Sequence, residues 1–187
     1  MPRLTVVAGA NGAGKSTLTK TSPGDFQFDP LLDPDSVALR LRRSAGSQVH
    51  AAREVLRRSE ELLDALQTFA VETTLSGHTY LRMMETAQTA GYTVRLIYIG
   101  TTDVSINMKR VRDRVTKGGH NVLEGDQLRR YARSFANLQI ALRIAEEAIL
   151  LDNSTDCGYR RVALKQSEKI QLFEPIPEGA AFLRQKI

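Results

Sequence analysis

Gly9-Ala10-Asn11-Gly12-Ala13-Gly14-Lys15-Ser16 fits the spacing G-x-x-x-x-G-K-[ST] in full. The spacing has a physical purpose. Glycines let successive backbone N–H groups curl around a phosphate, and a helix opening at the lysine adds its partial positive charge. Lys15 is expected to reach the β- and γ-phosphates and Ser16 to hold Mg²⁺. Gly9, Ala10, Asn11, Gly12, Ala13, Gly14, Lys15, Ser16 and Thr17 together are therefore the expected binding loop for ATP or GTP.

A phosphate loop serves kinases, switches and motors alike, so other residues must separate them. Asp35 follows Asp33-Pro34 at the start of an expected helix. A carboxylate there can accept or orient the proton of an attacking hydroxyl. The plainer alternative has Asp33 capping the helix and Asp35 favouring its positive end. Glu72 ends an apolar run and projects from the same edge of a sheet, where it can bind Mg²⁺ through water or hold a substrate hydroxyl. Thr73 or Thr74 can add a hydrogen bond. Asp152-Asn153-Ser154 also ends a strand, but reads as turn chemistry.

A third chemical feature is cationic. From Lys109 to Arg133 there are eight lysines and arginines against three acids, a balance of +5 that equals the net charge of the whole chain. Basicity this local suits an anionic ligand held at one place. Arg110 and Arg114 share a helical face, as do Arg129 and Arg133, with Arg130 beside them. Between them lies Lys117-Gly118-Gly119-His120. We read residues 104–135 as a lid that brings guanidinium groups onto a transferring phosphate.

These groups need a scaffold, and the hydrophobic pattern describes one. Leu4–Ala8, Thr68–Val71, Thr93–Ile99 and Ala148–Leu151 read as buried strands, and Asp25–Phe28 as a weaker one. Helices are expected from Lys15 to about Ser22, from Pro34 to about Arg43, and from Thr79 to Gly91. A longer one carries a buried stripe of Val49, Ala52, Leu56, Leu63 and Leu66. Val104, Met108, Val111 and Val115 mark another, and Leu128, Tyr131, Phe135, Leu138 and Leu142 a second long one. Tyr159 to Phe173 reads as a hairpin turning at Gln166-Ser167-Glu168. Alternating strands and helices predict an α/β fold with a parallel sheet covered on both faces. One domain over residues 1–187 is expected, of nucleotide-kinase type, with a helical arginine-bearing insertion.

Composition sets the outer bounds. With 187 residues, 42% hydrophobic and 25% charged, the chain is long enough for an ordinary core and too apolar for disorder. No apolar run approaches the roughly 18–20 residues of a membrane span. The N-terminus shows no secretion segment, and a single cysteine, Cys157, offers no internal disulfide, so a cytoplasmic protein is expected.

Taken together, these segments resemble the zeta toxin family of P-loop kinases, in particular its short bacterial members. The likeness rests on the Gly9–Ser16 loop, Asp33-Pro34-Asp35, Val71-Glu72-Thr73-Thr74-Leu75-Ser76-Gly77, Arg110 through Gly118-Gly119-His120, Arg130-Tyr131 with Arg133-Ser134, and Asp152-Asn153-Ser154. The resemblance implies ATP- or GTP-dependent phosphorylation of a sugar hydroxyl, with UDP-N-acetylglucosamine as the acceptor in characterised relatives, and an antitoxin protein as partner. It also implies Lys15 on the nucleotide phosphates, Asp35 as base, and Glu72 with Thr74 on the acceptor. Two lid arginines would hold the phosphates: Arg110 or Arg114 for the first, Arg130 for the second, with His120 as a substitute. Two other readings compete. A polynucleotide- or nucleoside-directed kinase would use the basic segment on a phosphate backbone, although 6% aromatic residues and no Trp leave no obvious stacking platform. A nucleotide-hydrolysing switch would need no acceptor but water.

Overall fold

The computed structural model describes residues 1–21, 28, 30–41, 48–119, 121–177, 180 and 183. The run Arg3–Ala8 (β1) is apolar on both sides because it lies inside a seven-stranded sheet, between two parallel neighbours. Leu31–Leu32 (β2), Phe69–Thr73 (β3), Thr93–Gly100 (β4) and Glu147–Asp152 (β5) run parallel to it. Arg160–Gln166 (β6) and Lys169–Leu172 (β7) extend the sheet antiparallel, giving the order β2-β3-β1-β4-β5-β6-β7. The expected C-terminal hairpin is thus present, and turns at Ser167.

Alternation along β1 divides the core between the two faces. Leu4, Val6 and Ala8 meet Leu96 and Tyr98 on one face, with Val55, Met84, Leu138 and Leu142 packed over them. Those last four come from the helices Gln48–Asp64 (α3), Thr79–Thr89 (α4) and Glu124–Ile144 (α6). Val7 on the other face meets Ile97, Ile99 and Leu18, which belongs to Lys15–Thr21 (α1). Pro34–Leu41 (α2) and Val104–Thr116 (α5) complete the set. This is a P-loop kinase-like fold, a mixed sheet with helices on both faces. Among the described residues no helix is long and apolar enough to cross a membrane.

Several expectations shift. Leu31–Leu32 forms a strand that the sequence did not predict. Of the expected strand Asp25–Phe28, residues 25–27 lie outside the described residues, as do Arg43 and the break at 44–47. The strand is short, and Pro30 extends its contact with β3 by accepting from Ala70 N at 2.8 Å. In α3 the buried stripe is Ala51, Val55, Ser59 and Leu63, one residue out of phase with Ala52 and Leu56. Leu66 is not core at all. It is 58% exposed with φ of 52°, at the turn where Gln67 N returns to Leu62 O and closes the helix. Leu128 is likewise 49% exposed. The first half of α6 instead buries Gln127, whose Nε2 donates to Val122 O at 2.7 Å, and Ser134, which bonds the Tyr98 hydroxyl.

Candidate functional site

All five parallel strands run out at one edge of the sheet, where the phosphate loop follows β1 and Glu72 sits near the end of β3. After Ala8 the chain turns through Ala13 N to Ala10 O at 3.1 Å, and α1 begins with Leu18 N on Gly14 O at 3.0 Å. Three carbonyls of this loop are held by neighbouring side chains. Asn11 O accepts from Asn107 Nδ2, Ala13 O from Asn153 Nδ2 and Gly14 O from the Tyr159 hydroxyl, each at 2.8 Å. Those contacts hold the loop in shape from behind.

They also explain two of its glycines. A Cβ on Gly12 would lie 2.4 Å from Asn107 O, and φ there is +79°. A Cβ on Gly14 would lie 2.5 Å from Asn153 Nδ2, with φ of +110°. Both glycines therefore admit neighbouring elements as well as a phosphate. Lys15 curls over the loop, its Nζ donating to Gly9 O at 2.8 Å and Ala10 O at 3.2 Å.

Glu72 stands at the end of β3, only 4% exposed. It accepts from Ser16 Oγ at 3.0 Å and from Thr19 Oγ1 at 2.7 Å. Burial pushes its carboxyl above the ordinary range; the Thr19 bond and the Lys15 charge pull the other way, and the charge of Asp33 adds to the rise. Beyond it the chain bends sharply. Thr73 Oγ1 accepts from Leu75 N at 3.0 Å, Leu75 is fully buried at φ of 54°, and its carbonyl accepts from Asn137 Nδ2 at 2.9 Å. A buried leucine in the left-handed region is strained, and the bend presents Thr74 and Ser76, whose hydroxyls lie 2.9 Å apart.

Asp33 caps α2 through Ser36 N at 3.1 Å and Ser36 Oγ at 2.7 Å, the capping role expected of it. Asp35 occupies the second position of α2, and its side chain lies outside the described set. His120 also lies outside the described residues.

The arginines divide. Arg110, Arg114 and Arg130 reach one cavity with the phosphate loop. Arg110 Nη1 donates to Asn153 O at 2.7 Å, and Arg130 Nη1 lies 3.4 Å from Asn11 Oδ1. Arg129 does not join them. It pairs with Asp126 on the surface, and Arg133 is exposed. Gly118, at φ of 81°, and Gly119 close α5, with Gly119 N on Arg114 O at 2.9 Å. Asp152 is a turn residue, as its sequence suggested: it accepts from Ser154 N at 3.0 Å and pairs with Arg160 at 3.0 Å.

The cavity holds about 1060 Å³. The phosphate loop and the three arginines line it together with Asp33, Glu72, Thr74, Ser76 and Tyr80. Burial and the neighbouring charge of Asp33 push the Tyr80 phenol up to about 12, so it faces the cavity as a neutral donor. Sequence reasoning missed Thr19, Tyr80, Asn107, Asn153 and Tyr159. For Asn107 a signal existed: it lies three residues before Arg110, on the same helical face.

Comparison with known proteins bears on the fold. A family model described as an AAA domain matches residues 4–138. An uncharacterised protein of Haemophilus influenzae is 33% identical over 118 residues, 62% of this chain and 83% of that protein. Among solved structures, the AvrRxo1-ORF1:-ORF2 complex with ATP superposes over the full chain at a TM-score of 0.73 and 14% identity. This chain spans 63% of the length of that one. The PezAT chromosomal toxin–antitoxin system of Streptococcus pneumoniae matches 82% of this chain and 69% of its own at a TM-score of 0.58 and 18% identity. At such identities the likeness is one of fold.

Proposed function

The chain belongs to the AAA domain family whose model covers residues 4–138, and from that premise we propose that it is a P-loop phosphotransferase. It binds ATP or GTP and transfers the γ-phosphate to a hydroxyl of a small acceptor, a sugar nucleotide such as UDP-N-acetylglucosamine. The observation that carries this reading is the shared cavity. Its cations, Lys15 with Arg110, Arg114 and Arg130, suit a triphosphate; its carboxylates and hydroxyls, at Asp33, Glu72, Thr74, Ser76 and Tyr80, suit an acceptor. A hydrolytic switch needs only one positioned water, whereas about 1060 Å³ leaves room for a second molecule.

Each residue has a task. Lys15 leaves the loop carbonyls it now holds and neutralises the β- and γ-phosphate oxygens. Arg110, Arg114 and Arg130 stabilise the charge that spreads over the transferring phosphoryl group. Asp35 accepts or orients the acceptor's proton, Glu72, Thr73 and Thr74 hold the acceptor, and a role for His120 in the same step belongs to this proposal. The donors at Ser16 and Glu72, hard oxygens 3.0 Å apart, suit Mg²⁺. When bound, Mg²⁺ would neutralise phosphate charge there. An antitoxin partner belongs to the same proposal, supported by the toxin–antitoxin system named for the streptococcal neighbour.

The test is transfer of label from γ-labelled ATP or GTP, with Mg²⁺, into pooled sugar nucleotides, nucleosides and short oligonucleotides. Label in the sugar-nucleotide fraction, lost in Lys15→Ala, is the expected result. Label released only as inorganic phosphate contradicts it.

A further inference from the structure

Helix α5 carries five charged side chains between Lys109 and Arg114, yet Asn107, one turn before Arg110, is 1% exposed. A buried amide is costly unless both its ends are paired, and here both are. Nδ2 donates to Asn11 O in the phosphate loop at 2.8 Å, and Oδ1 accepts from the Thr101 hydroxyl. The backbone is equally close, since Asn107 O occupies the space a Cβ on Gly12 would need. The root of α5 is therefore fastened to the loop through side chain and main chain together. Helix α6 reaches the same point: the Tyr131 hydroxyl donates to Thr101 O at 2.7 Å, and Arg130 approaches Asn11 Oδ1.

Arg110 and Arg114 follow Asn107 by three and seven residues, which places all three on one stripe of the helix. We propose that Asn107 is a positioning residue: it sets the register of the arginine-bearing helix against the phosphate loop, so that Arg110 and Arg114 meet the transferring phosphate in one place. This rests on the phosphotransfer reading. Arg114 lies about 10 Å beyond Asn107 at 1.5 Å per residue, so a tilt of about 6° at the root moves it by about 1 Å. A displacement of that size at a reacting centre costs on the order of 10²-fold.

The experiment is a double-mutant cycle on nucleotide turnover, followed as the nucleoside diphosphate formed from ATP or GTP with Mg²⁺ and pooled sugar nucleotides, alongside binding of fluorescent ADP. Asn107→Asp keeps the shape but turns the donor facing Asn11 O into an acceptor. We expect kcat to fall roughly ten- to hundredfold while ADP affinity stays within about threefold. Arg114→Ala combined with Asn107→Asp should be little slower than the slower single variant, because both remove the same interaction. A merely structural role would instead lower Tm and ADP affinity together, and the two losses in kcat would multiply. Either that pattern or wild-type kcat in Asn107→Asp overturns the proposal. Should Asn107→Asp fail to fold, Thr101→Val removes the hydroxyl that orients the amide. It should lower kcat about three- to tenfold at unchanged ADP affinity, and an unchanged kcat overturns the proposal. A wild type that turns over neither nucleotide contradicts the phosphotransfer reading itself; normal turnover with silent variants contradicts this inference alone.

Discussion

Glu72 carries a charge in a place that disfavours it. Its carboxyl is held above the ordinary value of 4.5, chiefly by burial, so the folded state binds the proton more tightly than the unfolded chain does. The stability it contributes is whole below the unfolded value and is lost as the pH rises through the folded one. Glu72→Gln, which keeps the shape without the charge, should therefore melt higher than the wild type at neutral pH. The gap should close as the pH falls towards 4.5, and thermal melts across that range check it. A gap that widened on acidification would mean that Ser16, Thr19 and Lys15 outweigh burial. At this scale the sequence revealed residues whose chemistry is loud: the loop, Glu72 and the arginine cluster. It did not reveal Asn107, Asn153 or Tyr159, because their work lies in hydrogen bonds to backbone carbonyls more than 90 residues away. An asparagine or tyrosine advertises no such partner.

Elements were legible where apolarity marks the buried face, and misread where it does not. β1, β3, β4 and β5 followed from apolar runs. In α3 the true stripe includes Ser59, buried because its hydroxyl bonds Val55 O at 2.8 Å, and one polar member was enough to shift the phase. The revised phase can be checked by urea unfolding. Val55→Ala should cost about 2 kcal/mol, the order expected for a fully buried valine. Leu66→Ser, at an exposed position, should stay within about 0.5 kcal/mol. Equal losses at both sites would restore Leu66 to the core. α6 fails the same way in its first half, where Gln127 and Ser134 are buried and Leu128, which periodicity favours, is exposed.

Across the whole molecule the charge surplus is a property of the cavity more than of the surface. Of the eight cations between Lys109 and Arg133, Arg110, Arg114, Lys117 and Arg130 line it, while Arg112 and Arg129 are spent in surface pairs with Glu124 and Asp126. No continuous basic track follows from that arrangement. Binding to single-stranded DNA should accordingly be weak and vanish with salt, at about −0.7 per phosphate contact in a log–log plot. Tight binding at physiological salt would favour a polynucleotide acceptor. The fold class and its phosphate-loop edge were legible because strand–loop–helix order is written locally; the carboxylate and hydroxyl lining, drawn from Asp33 at the cap of α2, from β3 and the bend after it, and from α4, forms only in three dimensions. The most direct test of the account is whether nucleotide turnover depends on an acceptor through that lining. Turnover of ATP or GTP should rise saturably with UDP-N-acetylglucosamine. Asp35→Asn should lower the stimulated rate by roughly 10²–10⁴ while leaving nucleotide affinity intact. A turnover rate indifferent both to every acceptor offered and to Asp35→Asn would contradict it.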